Sequence, residues 1–182
     1  MQTLIAAVWS LGLNMKVLVL FSFEVSLRDW IDSGLYDREI SLYEKMSSRF
    51  GGQFTLFTYG DEADLETNHS TELFPVVPAY EGRVISRHIW WRWLASFILP
   101  LKFSGVFRAA DVYKTNQMMG AWVGVIAKLV FRKPLLLRCG YDLSQHLRME
   151  GAKWWIRAGA WFISFICYQT ANHIFVPTRE IK

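Results

Sequence analysis

A chain of 182 residues, 52% of them hydrophobic and 16% aromatic, is one domain of ordinary size with enough apolar material for a real core. Its formal net charge of +4 conceals an uneven division: residues 1–82 hold five Lys and Arg against twelve Asp and Glu, and residues 83–182 hold fifteen against four. The four His are scattered and neither HExxH nor CxxC occurs, which excludes the familiar zinc patterns.

Residues 1–14 read as an upstream extension, because Met15 begins MKVLVLF, an ordinary opening for a cytoplasmic α/β protein. The segment is nearly uncharged and lacks the basic n-region of a signal anchor. Lys16–Phe21 (KVLVLF) predicts a central parallel strand buried on both faces. Phe21–Gly34 reads as a long polar and aromatic loop. Gly34 then opens an amphipathic helix, LYDREISLYEKMSSRF, with Leu35, Ile40, Leu42 and Met46 turned inward. Gly51-Gly52 ends it.

Gln53–Tyr59 predicts the second strand, and the acidic stretch GDEADLETNHSTE a solvated connection. Leu73–Val77 reads as a short third strand, which Pro75 and Pro78 confine to an edge. Ile85–Leu101 predicts a Trp-rich helix ended by Pro100. Asp111–Thr115 is the fourth strand, Ala121–Phe131 a nearly buried helix, Pro134–Cys139 the fifth strand and Ala152–Thr170 a long apolar helix. His173–Pro177 follows as the sixth strand, with Thr178 capping a helix that begins REIK. So regular an alternation predicts a single α/β domain with a doubly wound parallel sheet. The last helix is too short to stand alone, which reads as one domain of something longer.

Ligands of open parallel sheets bind outside the carboxyl ends of the strands, where three loops should meet. The first carries Ser33, Gly34, Arg38 and Glu39. It lacks GxGxxG, so the dinucleotide fingerprint is missing. Gly34 either presents helix N–H groups to an anion or makes a tight turn, and both readings stay open. The second is Lys114-Thr115-Asn116-Gln117, whose amides suit sugar hydroxyls or, alternatively, cap the helix. Gly120 beyond it removes side-chain bulk where a ligand would approach. The third is Arg138-Cys139-Gly140-Tyr141-Asp142. Asp142 reads as an acceptor for a hydroxyl or as a partner for Arg138, and Tyr141 offers a flat face to a sugar ring or lipid. Asp142 and His146 share a helix face, where a local hydrogen bond is a better reading than a metal site.

Cys139 and Cys167 have no framework spacing, which fits a reducing cytoplasm. Cys139 is a poor nucleophile, since strand alternation turns Arg138 the other way. The segments RHIWWRW (87–93) and KWWIRAGAW (153–161) combine cations with Trp, as suits the surface of an anionic membrane. The competing reading is that Arg and Lys only solubilise buried apolar helices. No segment makes a convincing transmembrane helix; Trp154–Tyr168 is short and Arg157 interrupts it. Nucleic acid is disfavoured because the aromatics read as helical and buried.

MKVLVLF, GLYDREISLYEKM, KTNQMMGAWVGVIAKLVFRKPLLLRCGYD and HIFVPTRE, in that order, span most of residues 15–182. The set resembles the N-terminal domain of GT-B-fold retaining glycosyltransferases of family 4. The family's GGxxR/E is reduced here to Ser33-Gly34 followed by Arg38-Glu39, and Cys139-Gly140 stands where a His-Gly turn is common. The resemblance implies a Rossmann-like acceptor half, inactive alone, whose nucleotide-sugar domain is not part of this sequence. It implies transfer with retention, no metal and no cofactor, on a glycan or lipid-linked envelope acceptor at the inner face of the plasma membrane. It places Gly34, Asn116, Gln117, Gly140, Tyr141 and Asp142 on the acceptor side, with Asp142 the catalytic candidate and Arg38 and Arg138 meeting anionic groups. The alternative from another class is a non-catalytic module that binds a membrane surface.

Overall fold

The computed structural model describes residues 14–67, 74–82, 88–140 and 143–176, the last segment without the side chains of 144–146. Its centre is a six-stranded, all-parallel sheet in the order β3-β2-β1-β4-β5-β6. The strands are β1 (Lys16–Leu20), β2 (Gln53–Thr58), β3 (Val76–Pro78), β4 (Val112–Thr115), β5 (Leu135–Arg138) and β6 (His173–Phe175). The strand order reverses between β1 and β4, which pair with Val17 opposite Val112 and Leu20 opposite Thr115. This is the Rossmann-like α/β arrangement read from the sequence, and β3 is the edge strand that its prolines require.

Alternation along β1 divides the core into two layers. Leu18 and Leu20 join Tyr113, Leu135 and Leu137 beneath the long C-terminal helices, whereas Val17, Val19 and Phe21 join Phe54, Leu56, Trp30 and Tyr43 on the opposite face. Apolar side chains are therefore needed at every buried position of β1, which is why KVLVL reads as a continuous apolar run.

The helices among the described residues are α1 (Leu27–Asp32), α2 (Tyr36–Phe50), α3 (Glu62–Thr67), α4 (Ile89–Ser96), α5 (Leu99–Lys102), α6 (Ser104–Ala109), α7 (Ala121–Phe131), α8 (Leu143–Met149) and α9 (Trp154–Thr170). Several differ from expectation. The expected loop at 21–34 contains α1, started by a capping box. The Ser26 hydroxyl accepts from the Asp29 N–H (3.1 Å), and the Asp29 carboxylate accepts from the Ser26 N–H (2.7 Å).

In α2, Leu42 is exposed and Tyr43 takes the inward position with Ile40. Tyr43 can be buried because its hydroxyl accepts a hydrogen bond from Lys114 Nζ (2.9 Å). The acidic connection after β2 is not wholly solvated: it folds into α3, and Asp64 is 1% exposed. Pro100 does not end a helix but sits in the first turn of α5, where a missing N–H costs nothing. The helix expected over 85–101 is accordingly shorter, and α6 and α8 are additional. The expected capped helix at Thr178 lies outside the described residues.

α9 also departs from a buried helix. Only Ala160, Ser164 and Cys167 are buried along it, while Trp154, Trp161, Phe162 and Phe165 face out. Among the described residues no helix is long and apolar enough to cross a membrane.

Candidate functional site

A cleft of about 530 Å³ lined by both polar and apolar side chains opens at the carboxyl edge of the sheet, beyond the paired strands β1 and β4. Ser22 and Val25 from the loop after β1, Asp29, Trp30, Asp32 and Ser33 of α1 and its turn, Leu35 at the cap of α2, Arg38 and Glu39 within α2, and Asn116 and Gln117 after β4 line it. The topology dictates this position: side chains beyond two neighbouring strands whose crossovers run in opposite directions leave a crevice between them.

The floor is a charge network anchored on Glu39. This carboxylate is 4% exposed, takes Arg138 Nη1 on Oε2 (2.7 Å) and Arg38 Nη2 on Oε1 (3.0 Å). Arg138 Nη1 also approaches Asn116 Oδ1 (3.4 Å), which joins β5 to the loop after β4. Burial alone raises the pKa of Glu39, but the hydrogen bonds and charges of Arg138, with Arg38 and Lys114, outweigh it and hold the group below its ordinary value. It is an anion at neutral pH.

Lys114 lies deeper on the same face. Burial, reinforced by repulsion from Arg138 and opposed by Glu39, lowers its pKa from 10.5 to about 8. Between pH 8 and 10.5 the folded chain therefore binds fewer protons at this site than the unfolded chain, so the Lys114 contribution to stability increases with pH there. The rise is at most about 1.4 kcal/mol per pH unit. Buried Tyr43, whose pKa is raised by burial, opposes it only near and above pH 10. Urea unfolding of the native chain and of Lys114→Met across pH 8 to 10 should show this extra slope in the native chain alone.

The turn and loop residues divide by role. Gly34 (φ +69) closes α1: its N–H donates to Ile31 O (3.0 Å) and the Leu35 N–H to Trp30 O (2.8 Å), the paired bonds of a Schellman motif. Gly34 thus makes a tight turn, and of the two open readings this is the one observed. Ser33 faces the cleft, and its hydroxyl donates to Asp29 O (2.6 Å). Gly140 packs against the other amide: its N–H donates to Gln117 Oε1 (3.0 Å), tying the loop after β5 to the loop after β4.

Gly120 serves the fold. Its φ is +93, and a Cβ would lie 2.8 Å from the Phe23 backbone nitrogen, so the loop after β1 is what approaches closely. Gly120→Ala should cost about 2 kcal/mol or more in chemical unfolding, through combined backbone strain and contact.

Of the sequence-predicted residues, Ser33, Arg38, Asn116 and Gln117 line one cleft, with Arg138 and Gly140 bonded to its lining. Tyr141 and Asp142 lie outside the described residues. Glu39 and Lys114 were named in the candidate loops without a role, although a Lys in the interior of a buried strand is itself a visible signal, and Asp29 and Asp32 were not named.

The thiols stand apart. Cys139 Sγ is 3.0 Å from the Tyr168 hydroxyl on the opposite face from Arg138, as strand alternation requires. Burial pushes Cys167 up to about 12. Among the described residues no group of three His, Cys, Asp or Glu is placed to hold a metal.

The fold and cleft define a Rossmann-like α/β domain with a polar crevice at its switch point. No protein-family model and no curated protein matches the chain. Among solved structures it is similar to HepE from Anabaena in complex with UDP-glucose, at 16% identity and a TM-score of 0.46, over 89% of this chain. The chain spans 43% of the length of that protein.

Proposed function

We propose that this chain is the acceptor-side half of a GT-B-type glycosyltransferase, which receives a glycan or lipid-linked acceptor for transfer from a nucleotide sugar held by a second domain. The reading rests on the switch-point cleft, which has no glycine-rich phosphate loop and instead offers amide, hydroxyl, carboxylate and guanidinium groups. Such a mixture of donors and acceptors suits a polyhydroxyl ligand, since each sugar hydroxyl both donates and accepts. Asn116 and Gln117 meet hydroxyls, while Arg38 meets an anionic group on the acceptor. Asp142 accepts a hydrogen bond from the reacting hydroxyl.

The full chain should bind oligosaccharide acceptors, and Asn116→Ala should weaken them about tenfold, the loss of roughly one good hydrogen bond. Isothermal titration with UDP-glucose, the ligand of the HepE complex, should give no saturable heat. Tight UDP-glucose binding by the chain alone would overturn the acceptor-side assignment.

A further inference from the structure

Another opening in the molecule carries almost none of the polar side chains that line the cleft. A groove of about 340 Å³ runs between α4, α7, α8 and α9, and its lining is almost wholly apolar. Phe23 and Met119 form its inner end, and they belong to the two loops that also build the polar cleft. Trp90 and Trp155 stand at its rim with their rings stacked 6.4 Å apart. Along α9, Gly159 has no atom within 4 Å of where a Cβ would lie. A glycine inside a helix costs about 1 kcal/mol against Ala, and here no neighbouring atom requires one. It leaves the groove open.

Around the groove the surface stays apolar. Trp91 is 63% exposed, Trp154 76% and Trp161 60%. The flanking charges are nearly all positive: residues 88–103 and 143–163 contain Arg92, Lys102, Arg148, Lys153 and Arg157 against Glu150 alone. Arg92 is held by Glu24 Oε2 (2.8 Å), and Glu24 also accepts from the Tyr80 hydroxyl (2.9 Å), which fixes α4 to the core. Arg157 Nε is buried with no hydrogen-bond partner among the described residues.

We propose that the α4–α9 face docks on an anionic lipid bilayer and that its groove admits one hydrocarbon chain of a bilayer lipid. Indole rings suit the level of the headgroups, and Lys and Arg beside them meet lipid phosphates. Charge separates this occupant from a second copy of the chain. A two-fold pairing brings the same cationic face against itself, whereas an anionic bilayer complements it. Docking in this way sets the polar cleft beside the membrane surface, yet the inference does not depend on the glycosyltransferase reading, because none of these residues lines the cleft.

The test is co-sedimentation of the full chain with phosphatidylcholine vesicles, with and without phosphatidylglycerol, at low ionic strength. Binding should require phosphatidylglycerol and fall as salt rises. The double substitution Trp90→Ser/Trp155→Ser should weaken it about tenfold or more. Gly159→Leu, which fills the groove while improving helix propensity, should weaken binding without lowering the unfolding temperature. Light scattering in parallel should show a monomer. Absence of binding to phosphatidylglycerol vesicles overturns the proposal. So does binding that both sets of substitutions leave unchanged, or a dimer that the Trp substitutions dissociate.

Discussion

Arg138→Met should destabilise the domain by about 3–5 kcal/mol, because it leaves a buried carboxylate without its main partner. Glu39 is 4% exposed and receives its shortest hydrogen bond, 2.7 Å, from Arg138. Arg38 stays in place, but its own side chain is 67% exposed, and so exposed an ion pair contributes little. The double variant Glu39→Met/Arg138→Met removes both charges from the site and should recover most of the loss, since replacing a whole buried pair with apolar groups is often neutral.

The pH dependence gives a second reading of the same variant. In the native chain the pKa of Glu39 lies below its ordinary value of 4.5, so its contribution is present above that pH and is lost as pH falls through the folded value. In Arg138→Met burial acts with less opposition and raises the pKa. The difference between native and variant should therefore narrow on acidification. Urea unfolding at neutral pH and near pH 4 checks both the size and the direction.

Asp64→Ala should have a similar effect, about 3 kcal/mol or more, without touching the cleft itself. The Asp64 carboxylate accepts from the Leu27 N–H (3.0 and 3.1 Å) and from the Thr58 hydroxyl (2.6 Å), all buried. It therefore caps the first turn of α1 from another segment of the chain and ties that helix to the end of β2. Removing it leaves a buried N–H without an acceptor and the buried Thr58 hydroxyl with only the long bond from the Gly60 N–H (3.4 Å). Because α1 supplies Asp29, Trp30 and Asp32 to the cleft, ligand binding should weaken as well. Asp64→Asn keeps the acceptor oxygen and should lose less. Comparison of unfolding free energies for the two variants, with acceptor titrations of each, is the check.

These two sites also show what could be read from sequence. The strands were legible because a parallel sheet covered on both faces demands unbroken apolar runs, and KVLVL is one. The cleft loops followed, since they must leave the carboxyl ends of those strands. What escaped depends on contacts distant in sequence. Asp64 reads as one more acid in a polar loop until Leu27, 37 positions earlier, is folded against it. Glu39 was legible as a member of the first cleft loop, but its burial and charge state were not, since they depend on Arg138, 99 positions away. Tyr43 lost its place to Leu42 by apolarity alone, because its buried hydroxyl is satisfied only by Lys114 of β4.

α1 was hidden for a different reason. Six residues hold too little periodicity to register, although Ser26-Leu-Arg-Asp29 carries the spacing of a capping box. The exposed aromatic face of α9 was one of two readings left open, because a 17-residue apolar helix carries the same pattern whether or not a partner in the fold covers it.

On the proposed function, the switch-point cleft holds the acceptor. Backbone amide NMR of the full chain, titrated with an oligosaccharide acceptor, tests it most directly. Saturable shifts should concentrate at Ser33, Arg38, Asn116 and Gln117 and be weakened by Asn116→Ala. Saturable binding whose shifts leave those residues unmoved would contradict it.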